Sequence, residues 1–262
     1  MEKVVVNDKY GLSIRKSLFV FFIYFILNTI LMVLVQSILM SLEYTGADID
    51  NFKKYVYLLV ETINYVVFIK IYKNLTENKL RFSNTVKVSK YMFIFFIIIG
   101  YIFIYDNTLN VLVQKFTTNS WYNEALKKEF ESPISLVLGA AIVAPIFEEI
   151  LLRGIILEGL IVRNKPYVAI TISSLLFALM HGNLVQIPNA FFIGFVIGII
   201  YYRTRSLLPC IFAHFVNNFF TIITVYNPDL YNDAKFSFVK LGIGTIIFIS
   251  SFYMFKRSTK HS

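Results

Sequence analysis

The chain has 262 residues, of which 57% are hydrophobic and only 16% are charged. This composition excludes an ordinary soluble domain and predicts an integral membrane protein. The formal net charge of +9 does not indicate nucleic-acid binding, because the basic residues lie between apolar runs, as in the loops that orient membrane helices. The single cysteine, Cys210, excludes an internal disulfide.

Eight apolar segments are candidates to cross a bilayer core of about 30 Å as helices. They are approximately 17–42, 55–72, 90–114, 134–160, 167–182, 187–202, 207–225 and 236–255. The first segment is too long for the hydrophobic region of a cleavable signal peptide, so we expect none. The fifth and sixth are short and are separated by turn-forming residues, so they could instead form a helical hairpin buried among the others. The predicted fold is an all-α integral membrane protein of about eight transmembrane helices.

The pattern predicts five parts of the chain. They are a cytoplasmic tail (1–16), three N-terminal transmembrane helices (17–114), an outer amphipathic segment (115–133), a core of four helices (134–225) and a last helix with a cytoplasmic tail (226–262). A solvated loop is the alternative for the amphipathic segment. Most of the 25 basic residues fall in the two tails and in every second loop, so the positive-inside rule predicts that both termini are cytoplasmic.

Two adjacent glutamates and an arginine lie within the fourth apolar run, where charged groups are expensive and often functional. On a helix, Glu149 and Arg153 lie four residues apart on one face and in the favourable order, so they should pair. Glu148 points about 100° away, and no basic residue lies one turn from it. It could therefore accept a proton, activate a water or bind a cation. The alternative is that the three charges only hold helices together.

Two of the three histidines lie in apolar segments. Phe177 lies one turn before His181, where its ring could pack against the imidazole. Asn218 lies one turn after His214 and shares its face, whereas Asn217 should face elsewhere. A lone buried histidine is more often structural. Two histidines with a glutamate and an asparagine, however, are the residue types needed to activate a water and stabilise an oxyanion.

Three motifs therefore follow one another along the chain, on the fourth, fifth and seventh apolar segments: Glu148-Glu149-xxx-Arg153, Phe177-xxx-His181 and His214-xxx-Asn218. Together they resemble the CAAX protease and bacteriocin-processing (Abi) family, whose eukaryotic branch is the type II CAAX prenyl endopeptidase. The resemblance implies an intramembrane endopeptidase whose catalytic core is formed by the fourth to seventh spans. It implies that Glu148 is the general base acting on water and that His181 assists it. It also implies that His214 and Asn218 stabilise the oxyanion, with Glu149, Arg153 and Phe177 as structural support.

The same residues leave a metal mechanism open. Glu148, His181 and His214 could supply three ligands to a divalent ion such as zinc, with one position open. Asparagine is an unusual zinc ligand, which favours direct catalysis by the glutamate. The sequence alone does not choose between the two mechanisms.

The expected substrate is a peptide or a membrane-associated protein, such as a bacteriocin, a pheromone precursor or a CAAX-type tail. The many Ile, Lys and Asn residues are typical of an AT-rich bacterial genome, so we expect a multi-pass protein of a bacterial cell membrane. The sequence indicates no nucleic-acid partner and no oligomeric state. A non-enzymatic immunity or peptide-transport protein is the main alternative, although the internal repeats expected of a transporter are not apparent.

Other polar residues in the spans favour structural interpretations. Cys210 lies one turn before His214 and permits a Cys–His pair, but a buried cysteine is commonly a small apolar filler. Ser173 and Ser174 are expected to pack, as is the Gly194-xxx-Gly198 motif. Glu61 and Asn64 form a polar pair in the second span that could line a cavity or bond to a neighbouring helix.

Overall fold

The computed structural model describes residues 11–46, 49–75, 80–82, 86–116, 133–227 and 236–259. These residues are helical apart from short turns and connections, and no strand occurs among them. The predicted all-α membrane fold is confirmed. The predicted amphipathic segment 115–133 lies almost entirely outside the described residues, because only its first two residues and its last one are included.

The described chain forms helical elements of both α and π type. In chain order they are α1 (Ile14–Tyr44), α2 (Asp50–Leu75), α3 (Val88–Asp106), α4 (Leu109–Phe116), α5 (Pro133–Leu136), π1 (Val137–Val143), α6 (Ala144–Glu149), π2 (Ile150–Leu157), α7 (Glu158–Arg163), α8 (Pro166–Met180), α9 (Gln186–Thr204), α10 (Leu207–Tyr226) and α11 (Phe238–Ser258). They group into two compact units, the first made of α1, α2 and α7 and the second of the remaining elements.

Seven stretches of the described chain are long and apolar enough to cross a membrane. They are Ile14–Tyr44, Phe52–Asn74, Val88–Val113, Pro133–Arg163, Gln186–Thr204, Leu207–Thr224 and Phe238–Ser258. The predicted fifth span corresponds to α8, which is apolar but shorter. The helix α8 packs against α9, and the two form a helical hairpin.

The first unit is held by aromatic and amide contacts between its two long helices. The ring of Tyr24 stacks on that of Tyr65 with centroids 5.2 Å apart. The side chain of Asn64 donates a 2.8 Å hydrogen bond from Nδ2 to Asn28 Oδ1. An amide pair of this kind satisfies two polar groups inside a bilayer and links the helices that carry them.

In the second unit, α3 and α11 cross at a pair of glycines. A Cβ atom at Gly100 would lie 2.6 Å from the backbone nitrogen of Phe248, and one at Gly244 would lie 2.6 Å from Phe103 Cβ. The absence of a side chain at both positions lets the two backbones approach closely, as is common between membrane helices.

The turn inside the α8–α9 hairpin places His181 directly after α8. Gly182 has a φ of +64°, a left-handed conformation that glycine adopts without strain. The side chain of Asn183 accepts hydrogen bonds through Oδ1 from the backbone N–H groups of Val185 and Gln186, at 3.1 and 2.9 Å. This cap satisfies free donors at the start of α9 and fixes the turn that follows His181.

Two π-helical segments flank α6. Pro145, within α6, explains why the backbone carbonyl of Ala140 receives no hydrogen bond from a backbone N–H. In π1 a carbonyl accepts from the N–H five residues later, as that of Gly139 does from Ala144. The residue five positions after Ala140 is Pro145, which has no N–H to donate. The register of π1 therefore leaves the Ala140 carbonyl for a side-chain donor.

Candidate active site

A buried ion pair lies at the centre of the second unit. Arg153 Nη1 lies 2.8 Å from Glu149 Oε1, and both side chains are fully buried. Arg153 Nη2 also donates to the carbonyl of Gly194 at 2.8 Å, and the guanidinium lies over the Phe177 ring, 4.9 Å from its centroid. The predicted pairing of Glu149 with Arg153 is confirmed. Because a buried charge is tolerated only when it is paired and hydrogen-bonded, these contacts tie π2 to α8 and α9.

His214 joins this pair from α10. Its Nδ1 atom lies 2.9 Å from Glu149 Oε1, the oxygen that also accepts from Arg153. A carboxylate paired with an arginine only accepts hydrogen bonds, so Nδ1 of His214 carries a hydrogen. Glu149 therefore fixes the orientation of the His214 imidazole, which the sequence did not predict.

The other ring nitrogen of His214 faces Glu148. The distance from Nε2 to Glu148 Oε2 is 3.9 Å, which is too long for a direct hydrogen bond. A single oxygen atom at about 2.8 Å from both groups would fit this spacing. The Glu148 side chain is 16% exposed whereas that of Glu149 is fully buried, although the Oε2 atom of Glu148 that faces His214 is itself buried.

Phe177 connects the two histidines. Its ring contacts His181 and His214 edge to face, with centroid distances of 5.1 and 5.3 Å. The Nδ1 atom of His181 lies 3.0 Å from the Phe177 carbonyl. A carbonyl can only accept, so Nδ1 carries the hydrogen and Nε2 is left with its lone pair. The predicted packing of Phe177 on His181 is confirmed, and the ring packs on His214 as well.

Asn218 lies one turn beyond His214 and reaches π1. Its Nδ2 atom donates a 2.8 Å hydrogen bond to the Ala140 carbonyl, the group that Pro145 leaves without a backbone donor. Asn217 donates through Nδ2 to Asn218 Oδ1 at 3.1 Å, a contact between neighbouring side chains that the sequence did not predict.

Three groups at the site were not identified from the sequence. The carbonyls of Gly194 and Ala140 carry no side-chain signal, and only the helix geometry shows that they are available. Asn217 had a signal in the Asn217-Asn218 dipeptide, but helical periodicity alone places neighbouring side chains about 100° apart. The two amide groups nevertheless come within hydrogen-bond distance of each other.

The other candidate nucleophiles donate to main-chain carbonyls. The Cys210 thiol is buried and lies 3.4 Å from the Ser206 carbonyl. The hydroxyls of Ser173 and Ser174 donate to the carbonyls of Leu152 and Ile170, at 3.0 and 2.7 Å. These contacts support the packing roles predicted for the three residues.

The Gly194-xxx-Gly198 motif also packs, since a Cβ at Gly194 would lie 2.8 Å from the Phe177 ring and one at Gly198 2.8 Å from Ile170.

The side chains do not form a metal-binding cluster in this conformation. Within the described ranges, no three His, Cys, Asp or Glu side chains come close enough together to hold one ion. Glu148, His181 and His214 therefore do not meet the ligand geometry that a zinc site requires.

A helical membrane protein whose buried helices gather a glutamate pair, two histidines and an asparagine has the features of a membrane peptidase, and comparisons with known proteins support this class. Residues 130–220 match the family described as type II CAAX prenyl endopeptidase Rce1-like. The matched region contains the glutamate–arginine, phenylalanine–histidine and histidine–asparagine motifs, so the predicted resemblance to this family is confirmed.

Two curated proteins are similar to this chain. YdiL of Bacillus subtilis (strain 168), named as a candidate membrane peptidase, is 33% identical over 93 residues, which cover 36% of this chain and 38% of YdiL. The membrane-embedded CAAX protease MroQ of Staphylococcus aureus (strain USA300) is 26% identical over 225 residues, which cover 81% of this chain and 90% of MroQ. No solved structure matches the chain at a significant level.

Proposed function

We propose that this protein is an intramembrane endopeptidase that uses Glu148 to activate water for attack on a peptide bond. The observation that carries the proposal is the 3.9 Å gap between Glu148 Oε2 and His214 Nε2. One water oxygen at about 2.8 Å from both atoms would lie beside the line that joins them and could hydrogen-bond to the carboxylate and the imidazole together. The similarity to a family of endopeptidases over residues 130–220 supports the same reaction.

In the proposed first step, Glu148 removes a proton from water as the water oxygen bonds to the scissile carbonyl carbon. The carbonyl oxygen becomes an oxyanion. In the second step the C–N bond breaks, and the proton held by Glu148 passes to the departing amine. Glu149 cannot act as this base, because it is buried and pairs with both Arg153 and His214.

His214 and Asn218 are the proposed oxyanion donors. Because Nδ1 of His214 donates to Glu149, Nε2 can donate only when the ring is an imidazolium. The Asn218 amide supplies the second donor, and preorganised donors of this kind stabilise the charge that develops in the transition state.

His181 is the proposed assistant to Glu148. Its Nδ1 hydrogen is engaged by the Phe177 carbonyl, so the lone pair on Nε2 can accept a hydrogen bond from water or a proton. Packing against Phe177 fixes the ring. No step of this scheme requires a metal. A metal-dependent mechanism would need a rearrangement of the site, because no three His, Cys, Asp or Glu side chains of the described ranges are grouped to hold one ion.

The proposed substrate is a peptide or the tail of a membrane protein. The site is carried by helices of transmembrane type, so a substrate must reach it from within or alongside the bilayer. A bacteriocin, a pheromone precursor and a CAAX-type tail all satisfy this condition. The proposed location is a bacterial cell membrane, consistent with the sources of the two similar proteins.

The decisive experiment replaces Glu148 by Gln in the full chain. Glu148→Gln keeps the shape of the side chain but removes the base, and losing a general base typically lowers the rate about 10²–10⁴-fold. We expect near-normal accumulation in membranes and loss of cleavage. The assay uses purified protein in liposomes and a library of internally quenched fluorescent peptides rich in apolar residues.

Glu61→Gln is the matched control, because it removes a carboxylate from a membrane helix of the first unit and should leave cleavage unchanged. Cleavage at the wild-type rate by Glu148→Gln would exclude Glu148 as the base, whereas absence of cleavage by the wild type itself would favour a non-enzymatic immunity or transport protein. If a strong chelator abolishes wild-type cleavage and zinc restores it, the mechanism is metal-dependent and the endopeptidase reaction stands.

The proposed orientation places both termini in the cytoplasm, as the alternation of basic loops indicates. Single cysteines introduced near Lys3 and Lys260 of a Cys210→Ala variant should react with a membrane-impermeant maleimide only after the cells are opened. Labelling of either position in intact cells would contradict this orientation.

A further inference from the structure

The amide of Asn218 is held at both ends by groups outside the three motifs. Asn217 is buried and donates through Nδ2 to Asn218 Oδ1 at 3.1 Å. Asn218 Nδ2 donates to the Ala140 carbonyl at 2.8 Å. One neighbour therefore supplies a donor to the amide oxygen, and the other supplies an acceptor to the amide nitrogen.

These two contacts select one of the two possible orientations of the amide. If the Asn218 amide were flipped, its oxygen would face the Ala140 carbonyl oxygen and its NH₂ group would face the NH₂ group of Asn217. The contact with Ala140 would then be repulsive, because a carbonyl only accepts, and the contact with Asn217 would be repulsive as long as Asn217 keeps its own orientation, because an NH₂ group only donates. In a low-dielectric interior, mismatched polar contacts are especially unfavourable.

The selected orientation is the one that oxyanion stabilisation requires. Asn218 Nδ2 carries two hydrogens, and the Ala140 carbonyl engages one of them. Because the amide is planar, fixing the first hydrogen also fixes the direction of the second. The second hydrogen can therefore donate to a substrate oxygen. In the flipped orientation, an amide oxygen would occupy this place and would repel an oxyanion.

We infer that Asn217 is a positioning residue for peptide hydrolysis, which fixes the Asn218 amide with its N–H groups available to the oxyanion. This role rests on the proposed function. Asn217 does not itself contact the reacting atoms. The Ala140 carbonyl completes the arrangement, because Pro145 leaves it without a backbone donor.

The test compares Asn217→Ala and Asn217→Asp with the wild type in the liposome peptide assay. Asn217→Ala removes the donor, and Asn217→Asp replaces it by an acceptor of the same shape that favours the flipped amide. Removing one oxyanion donor outright lowers kcat about 10²–10³-fold, so misorienting Asn218 should lower kcat about tenfold or more. KM should stay within about twofold, because the ground-state substrate carries no oxyanion.

A double-mutant cycle separates positioning from a general effect on the fold. In an Asn218→Ala background, Asn217→Ala should have no further effect on kcat, because the amide that it orients is absent. Thr224→Val is the control on the same helix, since its hydroxyl donates to the Thr221 carbonyl and it should keep wild-type kcat. If Asn217→Ala does not accumulate, the near-isosteric Asn217→Asp carries the same test.

Two results would overturn the inference and leave the proposed function intact. One is a wild-type kcat for Asn217→Asp while Asn218→Ala loses cleavage. The other is an equal loss of kcat on adding Asn217→Ala to the wild type and to the Asn218→Ala variant. Failure of the proposed function itself is recognised separately, by wild-type cleavage in the Glu148→Gln variant.

Discussion

The long helices of the first unit and the inner helices of the second differ in how apolarity relates to burial. The most apolar stretch of α1 is 11% buried, and so is that of α2, whereas those of α9 and α10 are 44% buried. Yet α1 is the most apolar span of the described chain. High apolarity alone therefore does not mark the buried interior of a membrane protein, because lipid-facing surfaces are apolar as well.

The polar groups of the two regions differ in the same way. In the first unit, Asn64 and Asn28 form one amide contact between two helices. In the second, Glu149 Oε1 is shared by Arg153 and His214, and Phe177 packs on both of those side chains. An isolated contact can be removed with a local effect, whereas loss of one member of a connected buried network leaves other charges without partners.

The largest difference in stability is expected between variants that break the buried ion pair of the second unit and a more exposed ion pair of the first. Arg153→Ala leaves Glu149 as a buried charge that has lost its arginine, which typically destabilises a protein by about 3–5 kcal/mol. Lys53→Ala disrupts the pair of Lys53 with Glu43, whose side chains are 27% and 33% exposed. This change should cost less than about 1 kcal/mol. Membrane abundance and thermal unfolding in detergent measure both effects. Equal stability of the two variants would contradict the buried network.

A smaller effect on stability is expected from adding a methyl group at a closely packed glycine. Gly194→Ala would place a Cβ 2.8 Å from the Phe177 ring and 3.4 Å from Arg153 Nη2. Overpacking of this kind typically costs about 1–3 kcal/mol, and displacement of Phe177 should also lower cleavage. Gly242→Ala is the control, because the added Cβ meets no side chain and no neighbouring helix of the described chain within 4 Å. Its higher helix propensity should leave stability unchanged or slightly raised. A Gly194→Ala protein that melts with the wild type would show that Phe177 is free to move.

The smallest effect on stability is expected from removing the amide contact of the first unit. Replacing Asn28 and Asn64 together by Leu removes both polar groups, and a hydrogen bond between membrane helices averages about 0.6 kcal/mol. The double variant should unfold within about 1 kcal/mol of the wild type and cleave peptide at the same rate. A loss of cleavage with preserved folding would assign the first unit a role in the reaction and would weaken the contrast between the regions.

The sequence was sufficient for the fold class and for much of the candidate site, for identifiable reasons. Charged and titratable residues in apolar runs are conspicuous, and the four-residue spacing of Glu149 and Arg153 predicted a contact that the structure contains. The contact of His214 with Glu149 could not be predicted, since it joins helices 65 residues apart in the chain and depends on how they pack. The catalytic roles of Glu148, His181, His214 and Asn218 remain proposals.

The backbone acceptors were beyond prediction for a different reason. Every residue other than the helix ends offers a carbonyl that is normally bonded within its own helix. The Ala140 carbonyl is available to Asn218 because π1 shifts the bonding register against Pro145. A proline in an apolar helix predicts a disturbance, but it does not predict which side chain will use the freed group.

The π-helical segment before α6 also determines how the chain tolerates changes in length. A π turn holds one residue more than the α-helical register accommodates. Deleting a single residue between Val137 and Val143 would therefore allow the segment to relax into an α-helix. The helices on either side would then keep nearly the same relative orientation, because the deleted residue is the one that the α-helical register does not need. A single-residue insertion should be tolerated less readily, since it would rotate the helix that follows by about 100° relative to α5, and Glu148 would no longer face His214.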